Sequence, residues 1–306
     1  VSIFFLTIPV FAIISAGYLL RAVKVVEESW IHSLNGFTYR IALPALIAGS
    51  FWSLSLQQSE LWKIAGYSII TTFILALVVV GGCILFRTSP SKRIAWLMVT
   101  TIGNSIYMGT AIGEQFLGRE SIPLVAAAAT IQFVIGFLIV LGFLSTLPQN
   151  PGQNTSSMWI NFILNPIPLS LLCGITLSLL VPPVGWIAAV QKSLALIGAT
   201  ASPLSLFVLG SFLYGRFSTH SREMATLASI VKIIFFPFLA WIAHYITGVS
   251  GVSLIISVLV TAVPSAVTGF VIAEQYRVEE EFVATTILIS TLGSALTLPL
   301  ALSFVG

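Results

Sequence analysis

The 306 residues are 57% hydrophobic and only 8% charged, with a mean hydropathy of +1.05. A soluble domain carries about 25% charged residues, so this chain cannot cover a water-facing surface and lipid must be its main solvent. The net charge of +3 is small and scattered, which excludes nucleic acid as a partner class, and every acid is Glu.

Residues 3–20 are apolar, with Arg21 and Lys24 following the run instead of preceding it. That is the reverse of a signal peptide, and an uncleaved first span is expected. A spanning helix needs about 20 apolar residues. Cutting at charges and at Gly/Pro/Ser clusters predicts ten spans: 3–20, 31–52, 61–86, 94–116, 122–147, 159–181, 187–214, 225–247, 252–276 and 282–305. "VPPVGW" (181–186) and "TGVSGVS" (247–253) are read as tight turns. Cys83 and Cys173 sit inside apolar runs without disulfide or metal spacing, and both are expected as small buried hydrophobes.

Loops after odd-numbered spans carry Arg21, Lys24, Arg87, Lys92, Arg93, Arg216, Arg222 and Arg277, against Lys63, Arg119 and Lys192 on the other side. The positive-inside rule then puts both termini outside. The Asn154-Thr155-Ser156 sequon falls in the cytoplasm on this topology and is discounted.

"GNSIYMGTAIGEQF" (103–116) in span 4 and "VPSAVTGFVIAEQY" (263–276) in span 9 coincide at Ser, Gly, Ile, Glu and Gln when Gly103 is laid on Val263. Pro44 and Pro203 fit nearly the same offset. A five-span unit is odd, so its second copy is inverted, as in secondary transporters with a site at the repeat interface. The expected fold is therefore all-α: ten transmembrane helices in two inverted repeats, 1–150 and 151–306. Gly103 and Pro264 are poor helix-interior residues, whereas Asn104, Ser105 and Ser265 are helix-capping types. Spans 4 and 9 are expected to break there and restart near 106 and 266, aiming N–H groups and positive dipole ends at the midplane. The plainer alternative is a proline kink in span 9 and a flexible glycine in span 4.

"LNGFTYRIALPAL" (34–46), "GNSIYMG" (103–109), "NPIPLSLLCG" (165–174), "ASPLSLFVLG" (201–210) and "AVPSAVTGFVIAEQY" (262–276) resemble the auxin efflux carrier family over essentially the whole chain. That family comprises plant auxin exporters and bacterial permeases for malate, malonate and similar acids. The resemblance implies spans 4 and 9 broken and crossing, a scaffold of spans 1, 2, 6 and 7, often dimeric, and a transport domain of spans 3–5 and 8–10. The family's crossing asparagine maps to Asn104 and its span 9 proline to Pro264. Ala111 stands where members usually have proline, and Thr268 where a second polar or proline position lies. The short polar loop 148–157 resembles the compact bacterial type, which implies a bacterial inner membrane.

Two cations fall at membrane depth, where unpaired charge is costly. Arg40, beside Tyr39 and one turn before Pro44, is a candidate for attracting a carboxylate, or else snorkels or supports the backbone around the Pro44 kink. Lys232 in span 8 is the candidate for proton coupling or for tethering free carbonyls of the broken helices. Glu114 and Glu274 are repeat mates placed where their helices exit, read as interfacial or as cation-coupling with Gln115 and Gln275. Gln132, isolated in apolar span 5, either faces the crossing or bonds a neighbouring helix. His32, His220 and His244 lack a second ligand at metal spacing and are read as structural or interfacial, and Asn165-Pro166 as a helix entry.

No GxxxxGK[ST] motif occurs, and no convergent nucleophile–base or metal set calls for an enzyme. The expectation is an organic-anion transporter with elevator-type alternating access. Its substrate-facing residues would be Gly103, Asn104, Ser105, Pro264, Ser265, Thr268, Gln132 and Arg40, with no cofactor and with Na⁺ or H⁺ as candidate coupling ions. The alternative is a sodium-coupled symporter, using hard oxygens at the same crossing, or a cation–proton antiporter, which the lack of aspartate disfavours.

Overall fold

A computed structural model describes residues 3–54, 59–147, 159–160, 162–181, 184–216, 218–219 and 221–306. The sequon, loop 148–157 and His220 lie outside the described residues. The described chain is helical, and its extended pairing is confined to Gly103 with Ser265. The helices are α1 (Ile3–Ala22), α2 (Glu28–Phe37), α3 (Leu43–Ser53), α4 (Ser59–Leu85), α5 (Pro90–Thr101), α6 (Thr110–Leu117) and α7 (Ile122–Leu144). They continue as α8 (Pro166–Leu180), α9 (Trp186–Ala199), α10 (Ala201–Leu213), α11 (Arg222–Ile230), α12 (Phe236–Thr247), α13 (Val252–Ala262), α14 (Val267–Tyr276) and α15 (Glu280–Val305).

Six described helices are long and apolar enough to cross a membrane: Phe4–Ala22, Ser59–Leu85, Arg119–Leu144, Trp186–Leu213, Arg222–Thr247 and Glu280–Val305. The protein is an all-α integral membrane protein. The other four expected spans correspond to 28–53, to the shorter Pro166–Leu180 and to two helical stretches interrupted at 102–104 and 263–266.

Local chemistry explains the helix starts. Pro90 begins α5 at the position where a missing N–H costs nothing. Ser89 precedes it, and its hydroxyl accepts from Lys92 N at 3.3 Å. Asn165 caps α8 by accepting from Ile167 N at 3.0 Å, and its amide donates to Tyr39 Oη at 2.6 Å. Asn165-Pro166 is thus a helix entry, as its sequence reads. Gly248 and Gly251 take φ of 70° and 77° in the turn between α12 and α13.

Three π-helical segments interrupt the α pattern: Thr38–Ala42, Ser105–Gly109 and Val231–Phe235. Pro44 follows the first by two residues and Pro237 the third. A proline ring collides with the carbonyl four residues back in a regular helix, and the wider π turn takes that carbonyl out of the way.

By packing, the chain divides into two compact units. One comprises Val1–Trp62, Ile106–Thr130 and Ile163–Gly215; the other comprises Lys63–Ser105, Ile131–Phe162 and Arg216–Gly306. In the first, α1 and α10 touch backbone to backbone: a Cβ on Gly17 would lie 2.1 Å from Phe207 O, and one on Gly210 1.9 Å from Ile14 O. Ser211 Oγ donates to Gly17 O at 3.1 Å across the same seam. Such glycine seams are how helices associate where lipid removes the hydrophobic drive. Also in this unit, Cys173 is exposed rather than buried, because it lies on an outward face of α8. In the second unit Cys83 is buried, as expected. His244 is structural there, its ring nitrogens bonded to Ala240 O and Ser253 Oγ and its face stacked on Tyr67 at 3.6 Å.

Candidate functional site

The two interruptions meet inside the second unit. α5 stops at Thr101 and Ile102 is extended, at φ −94° and ψ 94°. α13 stops at Ala262, and Val263 and Ala266 are likewise extended. The two short stretches pair antiparallel, with Asn104 N donating to Pro264 O at 2.8 Å and Ala266 N to Ile102 O at 3.0 Å. Pro264 has no N–H to return to Asn104, so the Asn104 carbonyl lacks a ladder partner. The sequence calls for the break through Gly103 and Pro264, and the pairing satisfies backbone groups that lipid would not.

A helix end leaves four carbonyls without donors. Here Ser265 Oγ donates to Val99 O at 2.6 Å, while Ser265 N donates to Ser290 Oγ at 3.2 Å. Ser265 therefore closes the end of α5 instead of capping α14, which has Ala266 at its cap and no side-chain cap bond. Ser105 is fully buried, its hydroxyl directed back to Gly103 O at 3.5 Å. The N–H groups of Val267 and Thr268 open α14, and Thr268 is half-buried with its hydroxyl unbonded among the described residues. Asn104 is buried, and its side chain likewise makes no hydrogen bond among the described residues.

Lys232 reaches this crossing. It lies in the π segment between α11 and α12 and is 0% exposed. Its Nζ donates to Thr261 O at 3.2 Å, one of the orphaned carbonyls of α13, and stands 4.7 Å from the Phe236 ring centroid. A Cβ added to Gly103 would come within 2.7 Å of that Nζ, so glycine is what lets the ammonium approach the break. No carboxylate contacts Lys232 among the described residues.

Gln132 belongs to the same unit. It is 0% exposed, and neither Nε2 nor Oε1 has a partner among the described residues. Gly136, one turn further along α7, packs on Thr101 O, which a Cβ would approach to 2.9 Å. Residues four apart share a helix face, so Gln132 lies on the face of α7 that carries Gly136.

The remaining predicted residues lie elsewhere. Arg40 belongs to the first unit and is exposed, as is Glu274 in the second. Glu114, in the first unit, pairs with Arg119 Nε at 2.9 Å. Among the described residues no group of three His, Cys, Asp or Glu is placed to hold a metal. Sequence reasoning missed Thr261 as the lysine's acceptor and Val99 as the serine's, since backbone carbonyls carry no residue signature. It also missed the π segments, although a proline two residues beyond two of them was a usable signal.

The crossing thus gathers one buried lysine, the unbonded Asn104 amide and Thr268 hydroxyl, and an opening helix N-terminus, with no acid among them. The sequence profile of a family described as "Membrane transport protein" matches residues 2–158 and 152–302. An uncharacterized transporter of Methanothermobacter thermautotrophicus is 24% identical over 300 residues, covering 96% of this chain and 95% of its own length. A Rhizobium meliloti protein named as a putative malonate transporter is 26% identical over 301 residues, covering 95% of this chain and 92% of its own. Auxin efflux carrier component 1 of Arabidopsis thaliana is 28% identical over 153 residues, 48% of this chain and 24% of the carrier. These proteins are transporters and not enzymes, and the chain belongs to the auxin efflux carrier family of membrane transport proteins.

Proposed function

We propose that the protein carries small organic anions, carboxylates of malonate's size, across the membrane by elevator-type alternating access. The observation that carries this reading is Lys232: a fully buried lysine amine beside Gly103, with no acidic partner among the described residues. An unpaired buried charge is expensive, and a carboxylate at the crossing supplies the missing counter-charge. Asn104, Gln132, Thr268 and the free N–H groups of α14 supply donors for its oxygens, and a helix N-terminus favours negative charge. A sodium-coupled symporter or antiporter would place a cation beside an ammonium, which the same geometry disfavours. The name of the Rhizobium relative points to the same solute class.

The architecture we propose is ten spans in two inverted five-helix repeats, with spans 4 and 9 broken and crossing. Three features support it. The shift that lays Gly103 on Val263 carries Asn104 onto Pro264, and these two pair with each other. The close approach of Gly17 to Phe207 is echoed by that of Gly174 to Ala48, where a Cβ would lie 2.7 Å from Ala48 O. Gly174 follows Gly17, and Phe207 follows Ala48, by nearly that same offset. The proposed scaffold of spans 1, 2, 6 and 7 falls in one packing unit, and the crossing in the other. The segment Ile106–Thr130 groups with the scaffold helices, a departure from the family plan. Dimerisation through the scaffold, residence in a bacterial inner membrane and outward termini complete the proposal. Lys232 is its coupling or supporting residue, while Glu114 and Glu274 are interfacial.

Uptake into proteoliposomes tests this. Labelled malate, malonate, pyruvate, bicarbonate and an indole acid are offered with and without sodium, a pH gradient and a set potential. Saturable flux of one anion, abolished in Asn104→Ala, is expected. Sodium- or proton-driven flux of a neutral or cationic solute, with none of any anion, would refute the reading.

A further inference from the structure

The first unit holds a cavity of about 590 Å³ lined from α1, α6, α9 and α10. This lies within the ~300–1,000 Å³ range of small-molecule pockets. Its polar groups differ in exposure: Lys192 and Arg119 are exposed, Glu114 and Ser202 half-buried and Thr110 buried, with the Thr110 and Ser202 hydroxyls bonded at 2.9 Å. Ten residues of helix separate Lys192 from Ser202, about 15 Å at the helical rise. The charges do not cancel: Arg119 pairs with Glu114 at 2.9 Å, while Lys192 is exposed and contacts no acid among the described residues. One ammonium therefore sets the sign of the mouth, above walls of Pro9, Val10 and Leu206 that weaken dielectric screening.

We propose that this cavity is an anion-holding vestibule in which Lys192 selects for the carboxylate solute, with Thr110 and Ser202 as its hydrogen-bonding floor. The inference rests on the organic-anion reading above and adds a second station, with its own selecting residue, to the solute's path. The Glu114–Arg119 pair keeps the rim neutral, and without Arg119 the Glu114 carboxylate would repel the solute.

The test reads the vestibule without requiring transport. Ala111, half-buried on the cavity wall, is replaced by cysteine in a chain carrying Cys173→Ser, since Cys83 is buried. In nanodiscs, where both faces are open, labelling rates are compared for a sulfonate-bearing and a trimethylammonium-bearing thiol reagent of similar size. Lys192→Glu is expected to lower the anionic-to-cationic rate ratio about tenfold, the effect of two reversed unit charges at roughly 10 Å in water. Lys192→Arg should preserve the ratio, and millimolar malonate should slow labelling when Lys192 is present. An introduced thiol inert to both reagents, or a ratio unmoved by Lys192→Glu, would overturn the vestibule. Charge-dependent labelling that no carboxylate slows would likewise overturn the vestibule as a holding site, whereas the organic-anion reading stands or falls with the proteoliposome flux.

Discussion

The contact between Gly103 and Lys232 makes a quantitative prediction. In Gly103→Ala the new Cβ would fall 2.7 Å from Nζ, 3.2 Å from Cε and 3.4 Å from Val263 Cγ2. The lysine head must move, and it must do so inside the protein, since Lys232 is fully buried. Moving it breaks the bond to Thr261 O, worth about 1.5–3 kcal/mol for a charged donor. Overpacking adds about 1–3 kcal/mol, and the stiffer unfolded chain returns about 0.4–1 kcal/mol. The expected loss is about 2–5 kcal/mol, together with loss of anion flux. Lys232→Met removes Nζ and with it both the bond and the closest clash. In the double variant the two costs overlap, so it should be at least about 1.5 kcal/mol more stable than the sum of the singles predicts. Unfolding in mixed detergent–SDS micelles measures the cycle. Additivity within about 0.5 kcal/mol, as for independent sites, would refute the claim that Gly103 exists to admit the ammonium.

Further predictions separate binding from scaffolding. Asn104→Ala should leave unfolding free energy within about 0.5 kcal/mol of the parent, since its side chain has no bond to lose among the described residues, yet abolish flux. Ser265→Ala should cost about 1–3 kcal/mol by orphaning Val99 O, read in the same micelle assay. Gly210→Ala should cost about 3 kcal/mol or more, because a Cβ 1.9 Å from the Ile14 carbonyl meets backbone that cannot step aside. Gly142→Ala, with nothing within 4 Å, is the neutral control. Ala111→Pro should cost under about 1 kcal/mol instead of the usual ~3 kcal/mol for an interior proline. Position 111 follows the Ser105–Gly109 π segment by two residues, as Pro44 and Pro237 follow theirs, and a melting temperature many degrees lower would disprove this.

Much of the crossing was legible because the residues that build it are poor choices for any other purpose. Gly103 and Pro264 stand where lipid-spanning helices would not choose them, and the helices end within two residues of both. Lys232 was conspicuous because an uncompensated charge in an apolar run demands a reason. What the sequence hid are directions. α7 is apolar all round, so periodicity could not say which way Gln132 faces. Gly136 against Thr101 marks the face of α7 that meets α5. Ser265 has the right chemistry for a cap, but its hydroxyl turns to Val99 because α5 ends beside it. Lys192 read only as a topology marker, since its importance arises from helices far away in sequence that wall its cavity. The grouping of Ile106–Thr130 with the scaffold helices was equally unreadable, because a packing unit is defined by neighbours and not by chain order.

The proposed repeat is broken where it matters electrostatically. The shift that aligns the two crossing motifs places Lys232 opposite Thr72, a buried residue whose hydroxyl turns back to Ser68 O at 2.6 Å. Two lysines would put two unpaired ammonium groups at one crossing, a cost that a single monocarboxylate could not offset. One lysine gives a loaded site of zero net charge, the state in which moving through a low-dielectric region costs least. The coupling then turns on the empty carrier. If Lys232 returns as the amine, each carboxylate has travelled with a proton and the cycle is anion–proton symport. If it returns as the ammonium, the empty step carries a positive charge and the membrane potential acts there. A dicarboxylate keeps one charge uncompensated even when loaded, so solute valence, not affinity alone, sets how strongly voltage drives this carrier.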